Sequence, residues 1–470
     1  MDGRRKRWAA LLVLVAGIAC LAYLWVLRIP TADLHAKNLV VVMIDTLRSD
    51  HLASYGYAQN TTPFLSKLAG ESVQLQGYSA SSWTRPSVAT FLTGLHPQRH
   101  ETISRSDRLP PKVPYLPTLL ARGGLNTAAF TSNGNVGEEV GFSRGFDVFV
   151  EREPKVKLSA DEVTKQALAI AKELKPPFLL YIHYIDPHDP YVPEKPWGRF
   201  DVTKADYVQP KDFLQKKYPM QSDEMGRMRA QYDGEIHEMD GALERLVEGL
   251  RADGLLESTL LVVTADHGEE FGEHGGVAHG HHLHEEVVRV PFLLHMDGLR
   301  PYRSDAPFHH VDFVPTMLEA LGLPPSSEVD GTSRWSEIVA ERPDTDQELL
   351  FHLDLDRFGE IAVLQTPYKL IHRPDRDTLL YDLSSDANEK APIGDAEYRR
   401  NSLTRAVIER HNELSAESTG RVTTSLSSGL RQRLAALGYM QPEEADPKLA
   451  ERVLPKQLAP DAGEKTGSGG

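Results

Sequence analysis

Cysteine is nearly absent: the 470-residue chain has one, Cys20. A single thiol cannot build a disulfide framework, and Cys20 lies inside an apolar run, so the remainder of the chain has no thiol for nucleophilic chemistry. The segment "VAGIAC" is a poor lipidation signal because the apolar run continues past the cysteine. Basic charge is short as well, with 52 Lys+Arg against 67 Asp+Glu. That balance argues against nucleic acid as a partner, because such binding rests on neutralising phosphates with a basic surface. There is no internal repeat.

Long hydrophobic runs are also few, and one has the length of a membrane span. Residues 1–7, "MDGRRKR", precede "WAALLVLVAGIACLAYLWVL", Trp8 to Leu27. About twenty uncharged residues match the apolar thickness of a bilayer. The basic cluster before them predicts a cytoplasmic N-terminus and an exported body, periplasmic or extracellular. A cleaved signal peptide would have a shorter apolar core and a small-residue cleavage site. The expectation is therefore a single-pass transmembrane anchor over 8–27, followed by a linker over 28–37.

The body alternates two textures. "NLVVVMID", "TAAFTSN", "FLLYIHYID", "TLLVVTADH" and "VPFLLH" read as buried strands. "TPFLSKLAGES" and "GEIHEMDGALERLVEGLRADG" read as helices. Alternation of this kind predicts a parallel sheet covered on both faces, with ligands at the carboxyl ends of its strands. Asp45, His183, Asp186, Asp266 and His267 all fall at such ends. From about Glu348 the chain changes to short strand-like pieces with turns, expected to form a small antiparallel sheet closed by the helix "GLRQRLAALGYM". The predicted divisions are a catalytic domain over 38–340, a C-terminal sheet subdomain over 341–440 and a disordered tail over 441–470.

Two stretches carry chemistry. In "VVTADHGEEFGEHG", Asp266 and His267 leave a buried strand for a Gly-rich turn, and Asp45 leaves another strand. Carboxylates with an imidazole suit one divalent ion such as Mn, Zn, Mg or Ca. In "SSWTRPSVATFLTG" the hydroxyls of Ser81, Ser82, Thr84 and Ser87 compete for a nucleophile's role. Pro86 fits a helix's first turn, which sets Thr84 at the helix entry, where free backbone N–H groups favour an anion. A hydroxyl there needs a base or a metal beside it to become a nucleophile.

The runs "VVMIDTLRSDHLASYGY", "TRPSVATFLTGLHPQRHE", "HYIDPHDPY", "TADHGEEFGEHG", "HHVDFVPTMLEALGLP", "LYDLSSDANE" and "RLAALGYM" resemble the sulfatase family of the alkaline-phosphatase superfamily in order and spacing, from about Lys37 to Met440. The resemblance implies an α/β sandwich around a large central mixed sheet, with a small C-terminal antiparallel sheet subdomain. It places the nucleophile on Thr84, where the family typically has a cysteine or serine that is oxidised to formylglycine. Threonine cannot form that aldehyde. Val88 stands where an arginine normally follows, leaving Arg85 as the candidate substitute, and Thr46 replaces the second of two adjacent aspartates. These departures turn the expectation from sulfate esters toward phosphate esters, as in the superfamily's phosphoglycerol and phosphoethanolamine transferases.

The resemblance puts His183 and His188 at the substrate face, to protonate the leaving oxygen or bind the anion. His279 or His281 stands in for a substrate-binding lysine, and Asp186 joins the substrate side. Asp186, His188 and His279 are the alternative makings of a second metal site. Most of the other histidines of "EHGGVAHGHHLHEE" are expected in solvent or as adventitious metal binders, and Arg48 with Asp50 is expected as a salt link behind the metal. The function expected is a membrane-anchored, metal-dependent hydrolase or transferase of phosphate (or sulfate) esters. A sulfatase proper and an inactive binding protein are the alternatives. Its substrate would be an anionic ester of the cell envelope, a lipid head group or a glycan.

Overall fold

In a computed structural model of the protein, residues 34–152, 157–198, 203–355, 358–374, 376–394 and 397–436 are described. The expected anchor over 8–27 and tail over 441–470 lie outside them. No helix among the described residues is long and apolar enough to cross a membrane.

Strands β1 (Asn38–Ile44), β2 (Val73–Tyr78), β3 (Asn126–Thr131), β4 (Val148–Glu151), β5 (Phe178–Tyr184) and β6 (Thr259–Ala265) are followed by a short pair, β7 (Glu270–Phe271) and β8 (Val277–Ala278). Then come β9 (Arg289–His295) and β10 (Tyr302–His309). The eight longer strands form one sheet in the order β10-β2-β9-β6-β1-β5-β3-β4. Every residue of β1 is buried. It lies between parallel neighbours β5 and β6, and a strand covered on both faces reads as an unbroken apolar run.

Its side chains alternate between two cores, as the period of a strand requires. Leu39, Val41 and Met43 meet Val88, Phe91 and Leu92 of the helix Thr84–Thr93, with Phe313, Val314 and Met317 of the helix Phe313–Ala320. Val40, Val42 and Ile44 meet Met239, Leu243 and Leu246 of the long helix Asp223–Ala252 and Val163 of the helix Ala160–Ala171.

The sheet is mixed, not parallel throughout, because β9 runs antiparallel to both β6 and β2. The parallel register of its centre builds the site. Ile44 pairs with Ala265, so the next residues, Asp45 and Asp266, emerge side by side. Met43 pairs with His183, and His183 with Thr131 of β3.

Strands β11 (Glu348–Leu355), β12 (Phe358–Gln365), β13 (Tyr368–His372) and β14 (Leu379–Asp382) make the small antiparallel sheet. One face, with Phe351, Leu353 and Leu364, packs on Trp83, Leu283 and Val287 and so supports the start of the Thr84 helix. The other face is covered by Leu403, Val407 and Leu414 of the helix Glu397–Ala416. The expected closing helix, described as Ser428–Ala436, does not perform that task. Its Leu430 and Leu434 enter the main core instead.

Candidate active site

All ten residues of the helix Thr84–Thr93 are buried, and Trp83, not Thr84, occupies the N-cap position. Thr84 is thus not a capping threonine. The Ser87 hydroxyl donates to the Ser81 carbonyl at 2.8 Å, whereas Thr84 Oγ1 faces His267 Nε2 at 3.2 Å. Thr84 is the hydroxyl turned toward the strand ends.

Asp45, Asp266 and His267 are buried and offer three ligand atoms within 4.8 Å of one another. His267 Nε2 stands 3.5 Å from Asp266 Oδ2 and 3.8 Å from Asp45 Oδ1. Asp266 Oδ1 accepts from the backbone N–H of Thr46 at 3.1 Å and of His267 at 2.9 Å. Asp266 Oδ2 has no hydrogen-bond partner among the described residues. Burial, then the Asp45 charge beside it, pushes the Asp266 carboxyl up. Two carboxylates forced together in a dry site are unfavourable unless a cation joins them, and oxygen plus imidazole donors fit a divalent one. The trio therefore fits the expected metal.

Two backbone features aim these ligands. Thr46 has φ of 56°, a left-handed conformation that costs a non-glycine residue of the order of 1 kcal/mol and turns its N–H onto Asp266. Tyr232 holds that turn, donating its hydroxyl to the Thr46 carbonyl at 2.7 Å and accepting from Arg48 N at 3.0 Å. Arg48 in turn grips Asp50 with two hydrogen bonds of 2.9 and 2.8 Å, the salt link expected behind the site.

His183 stands against Asp45, with Nε2 at 3.5 Å from Oδ2, and its Nδ1 meets the Tyr181 hydroxyl at 3.0 Å. Burial lowers its pKa to about 4. His188 and His279 gather on the other side. The His279 ring centre lies 4.4 Å from that of His267 and 5.0 Å from that of His188. Glu269 Oε1 holds His279 Nδ1 at 2.9 Å, while Tyr191 donates to Glu269 Oε2 at 2.8 Å. Burial keeps both histidines uncharged, His279 at about 3.

Three residues expected at the substrate are engaged elsewhere. Arg85 is fully buried and donates to the carbonyls of Ser104, Arg105 and Asp107 and to Asn135 Oδ1, which organises the loop after the Thr84 helix. Asp186 pairs with Lys157 at 2.9 Å and accepts from Ala160 N at 2.7 Å, at the start of a helix. His281 Nε2 turns to Glu270 Oε2 at 2.6 Å. Conversely, Asn133 and Lys157 went unforeseen. Asn133 Nδ2 donates to Asp45 Oδ2. It ends the run "TAAFTSN" at the same sheet edge as Asp45, a signal the sequence did carry. Lys157 donates to the His188 and Pro190 carbonyls from a segment without any motif.

The family model "Sulfatase" matches residues 37–323. Over 326 residues the chain is 28% identical to a low-salt glycan biosynthesis sulfotransferase from Haloferax volcanii, a match covering 67% of this chain and 66% of that protein. The chain thus spans just under two thirds of that relative's length. Among solved structures it is similar to BT4656 in complex with its substrate D-glucosamine-2-N,6-O-disulfate, with a TM-score of 0.69 at 18% identity over 81% of this chain and 98% of the other. A phosphonate monoester hydrolase of Agrobacterium radiobacter aligns with a TM-score of 0.65 at 19% identity, covering 83% of this chain and 100% of the other. At these identities the structural likeness establishes the alkaline-phosphatase-like fold alone. With a family model matched over more than half its length, the chain belongs to the sulfatase family of the alkaline-phosphatase superfamily.

Proposed function

We propose that this protein transfers the phosphoryl, and more weakly the sulfuryl, group of an anionic ester by way of the Thr84 hydroxyl. One divalent ion would be held by Asp45, Asp266 and His267. The observation that carries the reading is the 3.2 Å approach of Thr84 Oγ1 to His267 Nε2, which sets the hydroxyl beside the three metal-ligand candidates. When bound, the ion supplies Lewis acidity, lowering the pKa of a nearby hydroxyl and offsetting the ester's charge.

The protein's own groups do the rest. Thr84 gives up its proton and its oxygen bonds to phosphorus or sulfur. The bond to the ester oxygen breaks, and the departing alcohol takes up a proton. His188 and His279, clustered beside His267 and uncharged at rest, are the groups assigned to take up the proton that Thr84 releases and pass it to the departing alcohol, and Glu269 fixes the ring of His279. Water or an acceptor alcohol then takes the group from Thr84. Threonine favours phosphate here, because a sulfo-threonine must be hydrolysed directly whereas an aldehyde hydrate eliminates sulfate.

The glycan-directed relative and the sugar-sulfate ligand of the structural neighbour support a glycan as the ester's carrier. The apolar run 8–27 supports placement at a membrane. The test offers chromogenic phosphomonoesters, phosphodiesters and sulfate esters to the wild type and to Thr84→Ala, with Mn, Zn, Mg or Ca added in turn. Phosphoester turnover lost in the variant supports the proposal. Equal turnover by both proteins refutes it.

A further inference from the structure

The histidines expected in solvent are not there. His282 and His284 are buried, His274 is half-buried, and with Glu286 they offer four ligand atoms within 4.8 Å of one another. This group shares no residue with the Asp45, Asp266 and His267 trio. It lies where the loop after His267 meets the small sheet, since Tyr381 of β14 and Glu389 border it.

The geometry of the group is that of a ligand set. His274 Nδ1 and His282 Nε2 both face Glu286 Oε1, at 2.5 and 3.6 Å. The rings of His274 and His284 stack at 3.7 Å and 14°. Two rings are anchored from behind: His274 Nε2 meets the Glu389 carbonyl at 2.9 Å and His284 Nε2 meets the Tyr381 hydroxyl at 3.3 Å. Ligating imidazoles are held in this way, with the outer nitrogen on a carbonyl or other polar partner.

The decisive atom is His284 Nδ1. His284 is 4% exposed, and this nitrogen has no hydrogen-bond partner among the described residues. An imidazole nitrogen left so in a packed interior has given up its water without gaining a partner, which is unfavourable. Nearby cations do not meet the need. Lys369 is committed to Glu285 at 2.8 Å and Glu389 at 3.2 Å. Glu270 is held by His281 and the backbone N–H groups of His274 and Gly276, so His282 Nε2, now 3.0 Å from Glu270 Oε2, could turn to an ion without leaving that carboxylate unpartnered.

We propose that His274, His282, His284 and Glu286 bind a zinc ion of structural type, separate from the catalytic metal. Three imidazoles and one carboxylate suit a closed four-coordinate zinc site. The ion would replace the proton between His274 and Glu286 and supply the missing partner of His284. Its effect would be to fasten the loop carrying Glu269 and His279 to the small sheet.

The test counts zinc in the full-length chain after saturation and desalting. The expected content is two ions in the wild type, one in His284→Ala and one in Asp45→Ala. As a readout that does not depend on how His284→Ala folds, cobalt(II) is also titrated into Asp45→Ala, where one equivalent should give the visible bands of a four-coordinate site. Adding His284→Ala to that variant should abolish them. A folded His284→Ala protein with full wild-type zinc overturns the proposal, as does an Asp45→Ala protein that takes up no cobalt or whose bands survive the added substitution.

Discussion

Replacing Lys157 by methionine should damage both the fold and the placement of His188. The Lys157 ammonium lies 2.9 Å from Asp186 and 2.6 Å from Glu235, with side-chain exposures of 8%, 10% and 5% for the three groups. It also donates to the carbonyls of His188 and Pro190. One cation thus faces two carboxyl groups in a dry pocket, and burial pushes the Glu235 pKa up to about 8, so near neutrality this carboxyl is mostly protonated and its charge develops as pH rises through that value. Methionine fills a similar volume but leaves both carboxyls without their counter-charge. Breaking a buried pair by removing one partner costs about 3–5 kcal/mol.

The pH dependence follows from the same group. An acid whose folded pKa lies above its unfolded value stabilises fully below the unfolded value, near 4.5 for Glu235, and that contribution fades as pH rises through about 8. The penalty of Lys157→Met should therefore be larger at pH 8 than at pH 5, where carboxyls can protonate. Urea unfolding of the wild type, Lys157→Met and Lys157→Met/Glu235→Gln at both pH values measures it. Part of the loss should return in the double variant, because one uncompensated charge is gone. A loss under about 1 kcal/mol, independent of pH, would refute the reasoning.

Three further outcomes are expected. Thr84→Ser should retain measurable phosphoester turnover, whereas Thr84→Ala should fall at least about a thousandfold in kcat in a steady-state assay. Gly268→Ala should lose activity and about 2 kcal/mol or more by chemical denaturation, because its new methyl collides with the Glu286 carbonyl oxygen and neither backbone can yield cheaply. Asp240→Ala should lower stability by about 1–2 kcal/mol with little change in kcat. Asp240 accepts from Phe64 N and Leu65 N at 2.8 Å each and so caps the helix Pro63–Gly70 from a distance.

The centre of the fold was legible because β1, β5 and β6 are continuous apolar runs ending in Asp45, His183 and Asp266, and in-register parallel strands bring such ends together. Strand β2 was not, since its "VQLQGY" alternates with glutamines. They are buried all the same, because Gln74 donates to the Ser54 carbonyl and Gln76 accepts from Arg289. The antiparallel course of β9 was hidden too. An apolar run carries no direction, and only the placement of its neighbours sets one. Charge in the sequence read as solvent exposure for His282 and His284, yet the small sheet covers them, a contact between segments about a hundred residues apart. The partners of Arg85 were hidden for a related reason. Its guanidinium answers carbonyls of a loop some twenty residues on, and no local pattern shows which partner a long side chain will take.

The central claim is that Thr84 carries the transferred group. The wild type, quenched during turnover of a phosphodiester with its metal present, should yield a phosphorylated peptide spanning residues 81–94, with the modification on Thr84 by fragment mass spectrometry. The same peptide from Thr84→Ala should be unmodified, and its turnover lost. Turnover that persists in Thr84→Ala, with no adduct on the wild-type peptide, would contradict the account.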